Sequence, residues 1–193
     1  MTYGNRSAAQ YTPHCDISKT VSIPMELYQS LRGSYFIGYA DDMYFGPGRG
    51  AWARLYNPPD SGVNLFVNVW TVSDVDETPF RAQFWFNAAA PGQAVFESPT
   101  TPTDTAIVPP PAPRVRLQYA NDVAGLPQGG IKAFVRRGQP ETTLVETENG
   151  KLIFPPGGSF LVFLSAPENP QASASGRVAF GWWEELRGWS CLS

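Results

Sequence analysis

Along Gly62–Ala88 apolar and polar side chains alternate almost residue by residue, the period of a pleated strand with two different faces. Val63, Leu65, Val67 and Val69 fall on one face of a first strand, and Asn64, Phe66, Asn68 and Trp70 fall on the other. A second strand sets Ala82, Phe84 and Phe86 against Arg81, Gln83, Trp85 and Asn87. The acidic stretch Ser73–Pro79 between them carries Asp74, Asp76 and Glu77 and is expected in solvent. Each strand therefore holds a tryptophan on its polar face. Such a side chain is covered either by the chain's own loops or by another subunit or a ligand, and alternation alone does not choose between these.

The remaining pattern predicts more strands and one helical turn. Val21–Arg32 begins as a short strand and turns helical, because Pro24 suits a first turn, Leu27, Tyr28 and Leu31 keep helical spacing, and Gly33 suits the stop. Ser34–Phe45 reads as one strand or a hairpin bent at Asp41–Asp42, Gly46–Gly50 forces a turn, and Ala51–Tyr56 is the next strand. Residues 90–113 contain seven prolines, which cannot donate to a ladder, so a crossover loop with an edge strand near Thr105–Val108 is expected. Arg114–Ala120 and Gly129–Arg137 follow as strands, and Thr143–Glu148 with Lys151–Phe154 form a hairpin about Asn149-Gly150. In Phe160–Leu164 five successive apolar residues require cover on both faces. In the last strand, Arg177–Glu185, Val178, Phe180 and Trp182 oppose Ala179, Gly181 and Trp183.

About nine or ten strands at this spacing predict an all-β fold, a two-sheet antiparallel β-sandwich of jelly-roll type spanning residues 21–186. An extended N-terminal arm (1–20) precedes it and a C-terminal tail (187–193) follows. Two sheets bury only their inner faces. Phe66, Trp70, Trp85, Trp182 and Trp183 therefore form the candidate interface or ligand face.

Composition narrows the function classes. Only 16% of residues are charged against 42% hydrophobic, with 19 Pro and 18 Gly, which fits short strands joined by many turns. A net charge of −3 offers no field for phosphates, so nucleic acid is not an expected partner. No apolar run reaches the ~20 residues of a membrane span, so a membrane is not expected either. The opening MTYGNRSAAQYTPHCD lacks a signal peptide's apolar stretch. Two cysteines, Cys15 and Cys191, lie near opposite ends of the chain. Bonded within one chain they would close nearly all of it, a stabilisation on the order of 5 kcal/mol by the loop-entropy model. Bonded between chains they would tie an arm to a neighbour's tail, and free thiols in a reducing cytoplasm are the third state.

Candidate chemistry is thin. His14, the single histidine, adjoins Cys15 on the arm, where neighbouring side chains diverge rather than form a nucleophile pair. One histidine and two cysteines lack metal-ligand spacing, and Gly46–Gly50 lacks the Lys-Ser/Thr ending and helix of a phosphate cradle. The acidic doublets Asp41–Asp42 and Glu184–Glu185 point to opposite faces of their strands, so neither is an acid pair of the glycosidase kind. No catalytic, metal or cofactor residue is assigned, and an enzyme is not expected.

Six stretches are distinctive together: VSIPMELYQSLRGSYFIGY (21–39), AWARLYNPPDSGVNLFVNVWTV (51–72), FRAQFWFN (80–87), GGIKAFVRR (129–137), GKLIFPPGGSFLVFLS (150–165) and GRVAFGWWEE (176–185). Over residues 21–185 the chain resembles a family of uncharacterised proteins from spore-forming Gram-positive bacteria. That resemblance implies one small domain and carries over no activity or catalytic residue. A second likeness is of plan alone: subunits of disulfide-linked spore appendages are similar in pairing a small jelly-roll with a cysteine-bearing arm. The resulting expectation is a non-enzymatic structural protein that self-assembles, as a homo-oligomer or homopolymer, into an extracellular or spore-surface fibre or layer, with Cys15 and Cys191 as candidate intersubunit disulfide partners. A cytoplasmic location is the alternative. The rival function is a carbohydrate-binding module in which Trp70 and Trp85, among Asn64, Asn68, Gln83 and Asn87, receive a glycan.

Overall fold

The computed structural model describes residues 22–93 and 95–188; the arm with His14 and Cys15, and the tail with Cys191, lie outside these. A short helix, α1 (Met25–Leu31), leads into eleven strands: β1 (Tyr35–Phe45), β2 (Gly50–Tyr56), β3 (Val63–Asp74), β4 (Phe80–Phe86), β5 (Phe96–Glu97), β6 (Thr100–Pro102), β7 (Arg116–Val123), β8 (Ile131–Gly138), β9 (Thr143–Phe154), β10 (Ser159–Ser165) and β11 (Ala174–Leu186). They form two antiparallel sheets, β6-β1-β11-β3-β9 and β5-β7-β2-β10-β4-β8, packed as a sandwich.

With β5–β7 set aside, the eight remaining strands pair first with last: β1 with β11, β2 with β10, β3 with β9 and β4 with β8. One long hairpin rolled up on itself gives this nesting, which is the jelly-roll arrangement. The proline-rich insertion occupies the apex of the roll. There β6 adds to β1 on one sheet and β5 to β7 on the other, so the insertion straps one open edge of the sandwich. Its strands lie at Phe96–Glu97 and Thr100–Pro102, while Thr105–Val108 is turn rather than the expected edge strand.

Between the sheets lies one apolar core in which Phe84, Phe160, Phe180, Trp70 and Trp182 are buried. The outer face of the six-stranded sheet carries a second, smaller cluster built on Trp52, Leu161 and Phe163. The chain covers this cluster itself: the Trp52 indole N–H donates to the Pro91 carbonyl at 2.8 Å, and Ala89 pairs with Gln128 through two backbone bonds of 2.9 and 3.0 Å. Central β10 is accordingly buried on both sides, as its unbroken apolar run requires.

Candidate functional site

The other outer face, on the five-stranded sheet, has no such lid among the described residues, and its rows follow from the strand register. Tyr35, Trp183, Phe66 and Ile153 lie side by side in one row across β1, β11, β3 and β9. The next reads Thr101, Ile37, Gly181, Val69 and Thr147, and the one after it Tyr39, Ala179, Thr71 and Val145. None of these side chains is charged. Below them the first ion pair is Arg177 with Asp41, 2.5 Å apart.

The first row is an aromatic platform. Phe66 and Trp183 stack with ring centroids 5.4 Å apart and planes 7° apart, and Tyr35 stacks on Trp183 at 6.4 Å. A bulge in β9 closes over the platform: Asn149 and Gly150 both take positive φ, and Gly150 lies against the indole where any side chain would collide with it. Trp183 is thus only 4% exposed, and its N–H donates to Glu185 Oε1 at 3.2 Å. The platform ends in the Tyr35 hydroxyl, which accepts from Asn68 Nδ2 at 2.7 Å.

Beyond the platform the face sinks into a trough of about 410 Å³. Ala179 and Gly181 form its floor, with Ile37 and Tyr39 on one side and Val69 and Thr71 on the other. Gly181 has a packing reason to be glycine, since a β-carbon there would press on the Tyr35 hydroxyl at 2.5 Å. Tyr39 is 60% exposed, and Ile37 and Val145 also stand in solvent.

The candidate residues divide three ways. Phe66 and Trp183 meet on this face, buried by the chain's own bulge. Trp182 points inward beside Phe36, in the core. Trp70 is also a core residue, only 1% exposed, which corrects its assignment to a water-facing side. Asn68 is an extra residue in β3: Val67 pairs with Trp182 and Val69 with Gly181, leaving Asn68 without a partner. One inserted residue exchanges the two faces of everything after it. Val69 therefore turns outward, and Trp70 packs against Phe84, stacks on Phe134 and donates to Glu148 Oε1 at 3.1 Å. Trp85 lies on the outer face of the other sheet, half-buried, with Lys132 Nζ 5.2 Å from its ring centre. The polar residues of the glycan reading scatter likewise: Gln83 is buried beside Trp85, and Asn87 Oδ1 accepts from the Ser159 amide.

Ile37, Tyr39, Val69, Thr71, Ala179 and Gly181 were not singled out by pattern. The alternation of Ala179, Gly181 and Trp183 against a core face was legible, but nothing in the sequence shows which loops among the described residues would pass over it.

The carboxylates at the end of β11 are structural. Glu184 accepts from the backbone amides of Arg114 and Val115 and from the Trp182 indole, at 2.9 to 3.2 Å, and so staples the end of the insertion to β11. Burial raises its pKa and those amide bonds oppose the rise. Glu185 Oε1 also accepts from Gln29 Nε2 at 2.7 Å. Among the described residues no three His, Cys, Asp or Glu side chains gather where they could hold a metal ion.

Fold and site together define a jelly-roll β-sandwich that covers one of its outer faces with its own loops and whose other outer face carries uncharged rows with no loop lid among the described residues. The chain belongs to a family of unknown function (DUF6143), whose model matches residues 10–187. No curated protein and no solved structure matches it.

Proposed function

We propose that this protein is a non-enzymatic structural subunit whose copies stack through the outer face of the five-stranded sheet into a fibre or layer. The observation that carries the reading is the run of uncharged rows from Tyr35–Trp183 to Tyr39–Ala179, whose trough is crossed by no loop among the described residues. Five strands about 4.8 Å apart and three rows about 6.8 Å apart, twice the rise of about 3.4 Å per residue, make this face roughly 24 Å by 20 Å. That is about 480 Å², large for a patch on a monomer and about 60% of the ~800 Å² per partner of a standard protein interface. An apolar surface of that size is costly to leave in water at about 25 cal/mol per Å².

The likeness to proteins of spore-forming Gram-positive bacteria supports an extracellular or spore-surface setting for such an assembly. Cys15 and Cys191 lie outside the described residues, and their part in the proposal is to link neighbouring copies. Light scattering across a concentration series, with electron microscopy, tests the stacking. Wild-type protein should form oligomers or fibres, and an Ile37→Glu/Tyr39→Glu double variant should remain monomeric. A wild-type monomer at every concentration, oxidised or reduced, would end the proposal. Non-reducing electrophoresis tests the covalent part, since bonds between chains give a ladder and an intrachain bond gives a single monomer band.

A further inference from the structure

The loops over the six-stranded sheet leave one gap. Between the β1–β2 turn, the chain after β7 and the β10–β11 connection lies a pocket of about 320 Å³. It sits where β1 ends and β11 begins, at the far end of these strands from α1 and Leu186, near which the described chain starts and stops. Strand register sets its floor. Phe163 lies opposite Gln83, and Ser165 opposite Arg81, on the neighbouring strands β10 and β4, and alternation turns all four to the outer face.

Three cations line this pocket, Arg49, Arg81 and Lys132, and no carboxylate among the described residues does. Two of the cations are paired from outside it, Arg49 with Asp122 at 2.8 Å and Arg81 with Glu168. Those pairs use only Nε and Nη2, so among the described residues the Nη1 edge of each guanidinium has no acceptor. Lys132 has no ion pair among the described residues, and its ammonium lies 5.2 Å from the centre of the Trp85 ring. The floor also holds an unpartnered amide. Gln83 is 5% exposed and its Oε1 accepts no hydrogen bond, and Trp85, the next residue on that face, has a buried indole N–H that donates none. Buried polar groups are ordinarily paired, and an unpaired one is destabilising until a partner reaches it. The last side-chain torsion of a glutamine is soft, so the amide can present either end to the pocket. Phe163, Leu126, Pro167 and Pro170 supply apolar wall.

We infer that this pocket binds a small hydroxylated carboxylate of the sugar-acid class. The carboxylate meets Lys132 and the open edges of Arg49 and Arg81, a hydroxyl donates to the Gln83 amide, and the carbon skeleton packs on Phe163 and Leu126. A bare anion leaves the amide unpaired. A neutral sugar leaves the Lys132 charge unmet. The pocket lies on the opposite sheet from the stacking face and does not depend on assembly.

Titration calorimetry of the full chain tests this with sodium glucuronate, glucose, sodium acetate and inorganic phosphate as probes. Glucuronate should bind at millimolar concentration, and the other three roughly tenfold more weakly or not at all. Lys132→Ala and Gln83→Leu, each with an unchanged circular dichroism spectrum, should both weaken glucuronate by roughly tenfold. Lys151→Ala, which changes a lysine on the other sheet, should leave its affinity as in wild type. A chain that takes up no glucuronate at millimolar concentration, or a Lys132→Ala variant that binds it like wild type, would overturn the inference. Equal affinity for acetate or phosphate would mean a general anion pocket and would overturn the sugar-acid assignment.

Discussion

Asp74 ends β3 with its carboxylate 3% exposed; Oδ1 accepts from the Asp76 amide at 3.0 Å, and buried Oδ2 has no partner among the described residues. Burial pushes its pKa up to about 6 from 3.8. The folded state therefore holds this proton more tightly than the unfolded chain does. The stabilisation it gives is complete below about pH 4 and is lost as pH rises through about 6, a swing of roughly 3 kcal/mol. Asp74→Asn keeps the acceptor for Asp76 and has no proton to lose. Urea denaturation from pH 4 to 8 should show the variant more stable than wild type above pH 7 by about 2–3 kcal/mol, with the advantage gone at pH 4. Parallel pH profiles would refute the assignment. Asn68 shows what a single residue hides. Val63, Leu65 and Val67 are core residues as their alternation predicts, yet past Asn68 the core residues are Trp70 and Val72. No residue type marks a bulge of this kind, so Trp70 was legible as a strand residue but not as a core one.

The β9 bulge holds the corresponding lesson for elements. Asn149-Gly150 is the strongest hairpin signal in the chain, yet the residues on both sides of it pair with the same strand: Thr143–Thr147 with Ser73–Val69, and Leu152–Phe154 with Val67–Leu65. The positive-φ pair was legible; that it bulges one strand instead of joining two was not, because the choice depends on Trp183 lying beneath it. Gly150→Ala would strain a backbone at φ 71° and displace the buried indole, a cost of about 2–4 kcal/mol. Gly157→Ala is the matched control. Its φ is 87° and nothing lies within 4 Å of its added carbon, so it bears only the backbone cost of about 1 kcal/mol. Chemical denaturation of both proteins checks the difference; equal losses would mean that the indole does not occupy the glycine's surface. By contrast, the stop of α1 at Gly33 is local and local pattern was enough to find it, while Ser34–Phe45, legible as one strand or a hairpin bent at Asp41–Asp42, is one strand with a register shift there.

For the molecule as a whole, the jelly-roll was legible because strand count, turn spacing and one long crossing all favour it, but its nesting joins residues as distant as Tyr35 and Trp183. Which outer face is covered was therefore settled by tertiary structure: loops from residues 88–91 and from around Gln128 close one side, and no loop among the described residues closes the other. The composition of the open side fixes how assembly should respond to solvent. Its rows hold no charged side chain, so association through it gains little from attraction between ions and should change by less than about twofold between 50 and 500 mM sodium chloride. Ammonium sulfate, excluded from apolar surface, should strengthen it, and the dilution enthalpy should show the negative heat-capacity change of buried apolar area. Sedimentation velocity across the salt series, with dilution calorimetry at several temperatures, measures both. Steep dissociation in sodium chloride would place the contact on charged surface such as the Arg114–Arg116 end of the insertion, and would remove the bare sheet face from the assembly.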